Sequence, residues 1–202
     1  MSVVVKAEND ILCESTLPYI DKTTVDFACP TQESATSIVI SGNHVMKLCS
    51  VDVSLGRNVA LRGETTQSST MKVWVSENAV DGDIGPMDDQ DGQSLTCTHT
   101  DVEEWPHFWE LKLDTEVELL RVDIFNRVNR ESLCCEDRLR GFTLTAFKGD
   151  LLVYTYRDVS HDAQEKYHVT PQRKLQQTVD KIRIESRQTS QVLTLCEVKV
   201  FA

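Results

Sequence analysis

Leu119-Leu-Arg-Val-Asp-Ile-Phe-Asn126 sets Leu120, Val122 and Ile124 against Arg121 and Asp123. Successive side chains of an extended chain point to opposite faces, so this alternation reads as a strand with one face buried. Working outward, similar short runs recur between polar turns. They are Thr24–Cys29, Ser37–Ser41, His44–Val51, Lys72–Val75, Phe108–Leu113, Phe142–Phe147, Leu151–Arg157, Lys166–Val169, Lys181–Glu185 and Leu193–Phe201. In the last of these, Leu193, Leu195, Val198 and Val200 alternate with a slip of phase near Cys196, the mark of a β-bulge. Long amphipathic helices are absent. Many short strands at this spacing predict an all-β antiparallel sandwich or jelly roll.

The chain has 202 residues, with 21 Lys+Arg against 32 Asp+Glu and a net charge of −11. An acidic surface repels phosphate backbones, so nucleic acid is not an expected partner. With 40% hydrophobic and 26% charged residues the composition is that of a globular protein. No apolar run approaches the roughly 18 residues that span a membrane, and Val3-Val4-Val5 is too short for a signal-peptide core. Ser37–Val51 reads as a hairpin around Ser41-Gly42-Asn43, followed by the short polar linker Ser54–Arg57. The expected division is therefore a small cysteine-containing β unit or arm over residues 1–53 and a main domain over 54–202.

Seven cysteines carry more information than the composition. None sits in a CxxC or Cys-His cluster of zinc-ligand spacing. Scattered cysteines in an acidic β-rich chain suggest a secreted, oxidised protein, and the odd count leaves one thiol over. There is no Asn-x-Ser/Thr acceptor for N-glycosylation. Catalysis finds little support. There is no Gly-x-Ser-x-Gly elbow, no phosphate-binding glycine loop, and the cysteines read as structural, so the expectation is a protein that is not an enzyme.

Two features suggest a binding site instead. Cys134 and Cys135 are adjacent. A disulfide between neighbours would force an unusual turn and offer a flat sulfur surface, whereas two reduced thiols would offer neither. Around the pair lie Arg127, Arg130, Arg138 and Arg140, a local basic patch in an acidic chain. Guanidinium forks suit hydroxyls as well as carboxylates, and a sugar needs donors for its hydroxyls and an apolar plate for its C–H face. His99, beside Cys97, can donate to or accept from a hydroxyl. The arginines could equally pair with Glu131, Glu136 and Asp137 on the surface. The acidic stretch Asp81–Gln93 reads either as a solvated loop or as a cation site.

Taken in order, these segments resemble F-type lectins, the fucose-binding branch of the discoidin-like sandwich domains. The resemblance runs from about Ser54 to Ala202. It rests on Asn58-Val-Ala-Leu-Arg-Gly-Glu-Thr-Thr-Gln-Ser-Ser69, Asn78-Ala-Val-Asp-Gly82, Cys97-Thr-His99, Phe108-Trp-Glu-Leu-Lys-Leu-Asp114, Asn126-Arg127, Cys134-Cys-Glu-Asp-Arg-Leu-Arg-Gly141 and Leu195-Cys-Glu-Val198. It implies a discoidin-like jelly-roll sandwich. It also implies that His99, Arg127 and Arg138 hydrogen-bond the ring oxygen and hydroxyls of terminal L-fucose. The pair Cys134–Cys135 would then be a vicinal disulfide stacked against the sugar.

The linker from Arg127 to Arg138 is longer than the family's and lacks a clean match to its aspartate, for which Asn129 and Glu131 are the candidates, with Arg130 a rival for Arg127. The loop Met71–Glu77 is short, and the family uses that loop to select neighbouring sugars. The resemblance further implies a structural calcium held by Asn78, Asp81, Asp83, Thr96, Cys196 and Glu197, and a Cys97–Cys196 bridge. Of the remaining cysteines, Cys29–Cys49 is the expected pair. The implied partners are fucosylated glycans or glycoproteins on microbial or host cell surfaces, as in innate immunity and cell recognition. Homo-oligomerisation is expected because single sugar sites are weak. The alternative is a degenerate discoidin-like domain that docks on a protein or phospholipid surface, with Trp74 in Met71–Val75 as its apolar tip and no membrane insertion.

Overall fold

The computed structural model describes residues 2–8, 10–16, 27, 29, 34–43, 45, 48, 51, 53, 56–84, 96–102, 105–128, 135–187 and 192–202. The chain divides into two compact units, Met1–Arg57 and Asn58–Ala202.

The first unit is a three-stranded antiparallel sheet. Its strands are β1 (Ser2–Ala7), β2 (Asp10–Thr16) and β3 (Ser37–Ser41), in the order β2-β1-β3. Val3 and Val5 of β1 are buried while Ser2, Val4 and Lys6 are half-buried, the period-2 pattern of a strand with one covered face. Two expectations change here. β3 does not fold back on His44–Val51. It pairs with β1, Val39 opposite Val4, and the described residues Val45 and Leu48 lie in turns closed by Val45 N–H to Gly42 O and Leu48 N–H to Val45 O. Cys29 is bonded to Cys13 of β2, with Cα atoms 5.8 Å apart, and not to Cys49. The β1–β2 hairpin presents Cys13 at a separation that ordinary disulfide geometry spans. Cys49 and most of Thr24–Cys29 lie outside the described residues.

The second unit is an antiparallel sandwich. One sheet has five strands, β4 (Glu64–Gln67), β5 (Phe108–Val117), β7 (Thr143–Lys148), β8 (Leu151–Arg157) and β10 (Val179–Glu185), ordered β4-β5-β10-β7-β8. The other has β6 (Arg121–Asn126), β9 (Lys166–Val169) and β11 (Leu195–Phe201), ordered β11-β6-β9. Trp109, Leu111, Leu144, Ala146, Ile182 and Ile184 from the first sheet share one core with Val122, Ile124, Val169, Val198 and Val200 from the second. The alternation in Leu119–Asn126 thus sends Val122 and Ile124 inward, as the sequence implies. Asp123 is also buried, on the other face of β6, under Arg121 (2.9 Å), His168 (2.8 Å) and Lys166 (3.2 Å). A buried carboxylate persists only when it is paired in this way. The slip near Cys196 is a register shift between Leu195 and Glu197 against β6.

Lys72–Val75 is not a strand. Lys72 has φ 55°, in the left-handed region, and Trp74 N–H closes a turn on Met71 O. The β-branched residues of this run therefore ride on a loop, and Val73 and Val75 are exposed.

Candidate functional site

The loop 96–101 is fastened to the last strand by its own side chains. Thr98 N–H donates to Leu195 O (2.7 Å) and Thr98 Oγ1 accepts from Leu195 N–H (3.0 Å). Thr100 repeats the arrangement with Leu193, at 3.1 and 2.8 Å. The Cys97–Cys196 disulfide closes the same junction, as the family resemblance implies. Thr100 Oγ1 also shares a hydrogen bond with Nδ1 of the buried His107 (3.1 Å). With Thr98 and Thr100 both spent on this seam, the residue between them is held in place while its side chain stands clear of it.

That residue is His99. Its Nδ1 lies 2.6 Å from Thr100 O. A carbonyl can only accept, so Nδ1 carries the proton and Nε2 presents a lone pair. Arg138 Nη1 donates to that Nε2 at 3.3 Å. Burial holds the imidazolium below its ordinary pKa, and the charges of Arg138 and Arg127 add to the effect against smaller opposing contributions from Thr100 and Asp101. His99 is therefore neutral near pH 7. Burial also lowers Arg138, and the neighbouring Arg127 lowers it further. Two guanidiniums close enough to feel one another form a concentrated donor field. The ring of Trp74 completes the group, 5.5 Å from the His99 ring at 33° and 6.0 Å from the Arg127 guanidinium.

Local structure explains how the arginines converge. Arg127 follows directly on β6. Asn126, fully buried, donates from Nδ2 to Glu136 O (2.9 Å) and to Gln164 O (3.0 Å). It thereby pins the short 3-10 turn Glu136–Leu139, whose Leu139 is buried in the core. The turn delivers Arg138 to His99. The residue that leads into it, Cys135, has φ 86°, a left-handed conformation that an L side chain adopts at a cost. Cys135 is disulfide-bonded. Cys134 lies outside the described residues, as do Asn129, Arg130 and Glu131.

The acidic positions meet as well. Glu197 on β11 is fully buried. Its Oε2 accepts from Gly82 N–H at 3.3 Å, while Oε1 has no hydrogen-bond partner. Burial pushes its pKa up to about 8, and the charges of Asp81 and, to a lesser degree, Asp83 contribute. Asp81 Oδ1 accepts from Asp83 N–H (2.8 Å), and Asn78 Nδ2 donates to Cys97 O (3.0 Å). Among the described residues no group of three or more His, Cys, Asp or Glu side chains forms a ready ligand set. Even so, a buried carboxylate with an orphaned oxygen, raised by two neighbouring carboxylates, is the environment that a hard divalent cation relieves. Thr96 and Cys196 stand at the ends of the disulfide junction beside it.

Trp74 is the site residue that sequence reasoning missed. It was legible only as an apolar tip in Met71–Val75. The signal that could have found it is an aromatic in a loop bonded to the 96–101 segment, and that pairing is tertiary: His99 N–H donates to Trp74 O (3.3 Å) and Met71 N–H to His99 O (3.0 Å).

This architecture defines a discoidin-like β-sandwich domain whose loops carry a polar cluster beside an aromatic ring. The chain belongs to the family of NedA-like galactose-binding domains, whose model matches residues 78–193. Among solved structures it is similar to a fucose-binding module of Streptococcus pneumoniae at 31% identity, covering 72% of this chain and 97% of that one, with a TM-score of 0.58. It is also similar to the F-lectin (fucolectin) from the serum of Morone saxatilis, the striped bass, at 26% identity, covering 74% of this chain and 50% of that one (TM-score 0.60). The lectin domain of lectinolysin complexed with Lewis b antigen shares the fold at 23% identity, with 73% and 98% covered (TM-score 0.61). The resemblance to F-type lectins read from the sequence is borne out by these neighbours. No curated protein matches the chain.

Proposed function

We propose that this protein is a lectin that holds a terminal L-fucose between His99, Arg127, Arg138 and Trp74, without changing a covalent bond. The observation that carries this reading is the neutral His99, whose Nε2 acceptor meets the Arg138 guanidinium, with the Trp74 ring beside it and the Arg127 guanidinium over that ring. A sugar hydroxyl must both donate and accept. On binding, the single lone pair of Nε2 would pass from Arg138 Nη1 to one hydroxyl, while Arg127 and the released Arg138 donate to its neighbours and to the ring oxygen. Trp74 supplies an apolar wall for a C–H face or the 6-methyl group that distinguishes fucose from galactose. A disulfide between Cys134 and Cys135 would add a sulfur plate. Fucose-binding modules among the structural neighbours support the same sugar class.

Calcium belongs to this proposal as a structural ion. Asp81, Asp83 and Glu197 would supply carboxylates, and Asn78, Thr96 and Cys196 mainly carbonyl oxygens. The ion would neutralise the acidic junction under the His99 loop and take no part in sugar contact. Disulfides in both units support a secreted protein, with fucosylated glycoproteins as partners and homo-oligomerisation as the route to useful avidity.

A second reading has one observation in its favour. Val73, Val102 and Trp105 are 58, 69 and 56% exposed. The loops bearing Val73 and Val102 are joined by Met71 N–H to His99 O and Asp101 N–H to Ser69 Oγ. An apolar rim of this kind suits a protein or phospholipid surface. Against it, Trp74 turns toward His99.

Calorimetric titration with L-fucose, with D-galactose as control and calcium present, tests the proposal. Saturable heat with fucose alone supports it. No heat at millimolar fucose from folded, oxidised protein overturns it, and binding to liposomes would then favour the second reading.

A further inference from the structure

The small sheet of the first unit ends in two unlike strands. In the order β2-β1-β3, its edges are β2 and β3. An edge strand presents a row of backbone N–H and C=O groups that a further strand can pair with, and charge, proline or a bulge blunts such an edge. β2 is blunted. Asp10 and Glu14 place carboxylates along it, and its register against β1 slips between Val5 opposite Cys13 and Lys6 opposite Ile11. In a chain of net charge −11 those acids repel a second copy.

β3 carries none of these devices. Ser37-Ile-Val-Ile-Ser41 has no charged residue and no proline, and it pairs with β1 without a slip, from Ser37 opposite Lys6 to Ser41 opposite Ser2. Among the described residues it joins a strand on one side only. Its apolar side chains are open on both faces of the sheet. Ile38 and Ile40 share the face of Val5 and Val3, while Val39 shares the reverse face with Val4. Ile38 is 39% exposed and Val39 45%.

The order of the residues selects what lies against this edge. Ser-Ile-Val-Ile-Ser reads the same in both directions. A second copy laid antiparallel about Val39 therefore sets Val39 against Val39, Ile38 against Ile40 and Ser37 against Ser41. A twofold axis through the sheet keeps each side chain on its own face, so the stripe Val3, Val5, Ile38, Ile40 of one copy runs on into that of the other. β-branched pairs of this kind stabilise an antiparallel ladder, and no like charges meet in it.

We propose that β3 is a dimerisation edge, through which two copies of the chain pair along Ser37–Ser41 into one six-stranded antiparallel sheet. The contact is isologous and closes at two. Five residues a side bury far less than the roughly 1,600 Å² of a standard interface, so the dimer is weak and forms with rising concentration. This edge is the surface for the homo-oligomerisation put forward above, and only the gain from two sugar sites in one particle rests on the sugar-binding reading.

Sedimentation velocity of the full chain from about 1 µM to about 1 mM spans the affinities of weak interfaces. A species of twice the monomer mass should grow with concentration. Val39→Lys and Val39→Glu each put like charges at the twofold axis, and each alone should weaken the dimer at least about tenfold. An equimolar mixture of the two should restore it, since opposite charges then meet. Val39 is open to solvent, so circular dichroism should match wild type for both. Thr155→Lys, at an exposed position of the edge strand β8 in the larger sheet, should leave the dimer unchanged. A monomer up to about 1 mM overturns the proposal. So does a dimer that survives both Val39 variants, a mixture that fails to recover it, or loss in Thr155→Lys. A dimer that persists in denaturing electrophoresis without reductant is covalent and overturns it as well. On a fucosylated surface wild type should dissociate more slowly than Val39→Lys, with equal affinity for free L-fucose. If neither binds L-fucose, the sugar reading falls while the dimer seen by sedimentation stands.

Discussion

At the residue scale the tautomer and charge of His99 decide what the cluster can accept. The bond from Nδ1–H to Thr100 O leaves Nε2 as acceptor, and protonation of Nε2 would place a third positive charge beside Arg138 and Arg127. The folded protein therefore takes up this proton at a lower pH than the unfolded chain, whose histidine titrates near 6.5. In the window below about 6.5 the unfolded state binds more protons, so stability falls as the pH drops, and above that window His99 contributes no slope. Fucose affinity follows the same course. It should be level from pH 8 to about 6.5 and decline in acid as the acceptor is lost. Titration by calorimetry across pH checks this, and His99→Gln should weaken binding but flatten the profile. An unchanged acid limb in that variant would assign the dependence to another group. Arg127→Ala or Arg138→Ala removes charge-assisted bonds and should cost about 1.5–3 kcal/mol, roughly ten- to hundredfold in Kd. Circular dichroism should show the fold intact. Wild-type affinity in Arg127→Ala would move the role to Arg130.

At the scale of elements, strands that pack were legible and strands or loops set by long-range contacts were not. β5, β7, β9 and β10 announce themselves because burial against the opposite sheet demands apolar residues at every second position, β6 and β11 because they are buried along nearly their whole length, and the edge strand β8 by its β-branched and aromatic run. β4, Glu-Thr-Thr-Gln, carries no such signal, for its place depends on β5. Lys72–Val75 shows the converse: β-branched residues without a sheet to join. The same limit applies to the site. His99, Arg127 and Arg138 could be grouped from motif spacing, but Trp74 could not, because only the bonds between residues 71–74 and His99 bring it near. Likewise Cys13–Cys29 follows from a hairpin that the sequence reading did not recognise. One position tests how tightly β4 is seated. A Cβ on Gly63 would collide with the Leu111 side chain and lie 2.7 Å from the Lys112 carbonyl oxygen on β5. The backbone there cannot give cheaply, so Gly63→Ala should destabilise by about 1–3 kcal/mol. That corresponds to a melting point lower by about 2–10 °C for a unit of this size, read by thermal denaturation. An unchanged melting point would mean that β4 shifts freely on β5.

At the scale of the whole molecule, charge is distributed unevenly, and that unevenness links folding to ligand. The chain is acidic overall, yet basic side chains gather around His99, while carboxylates gather at Glu197. The acidic junction lies in the same structural knot as the His99 cluster. Glu197 follows Cys196, the disulfide joins Cys196 to Cys97, and His99 is two residues beyond. A divalent ion at Glu197 would bind the folded chain and not the unfolded one, so it must raise stability by mass action. At about a hundredfold excess over its Kd the gain is about 2.7 kcal/mol, or a melting point higher by about 5–10 °C. Calcium rather than magnesium should give this rise, since the carbonyl and carboxylate donors come from separate loops and suit a larger, more tolerant coordination sphere. Chelation should lower the melting point, calcium should restore it, and Glu197→Gln should abolish the response while keeping side-chain volume. On the proposal that the ion stands away from the sugar, metal-free protein held below its melting point should keep its selectivity for fucose over galactose with a weaker Kd. Loss of selectivity would place the ion at the sugar. An identical melting point before and after verified metal removal would leave the Glu197 carboxylate buried without a cation, and the calcium proposal would fall.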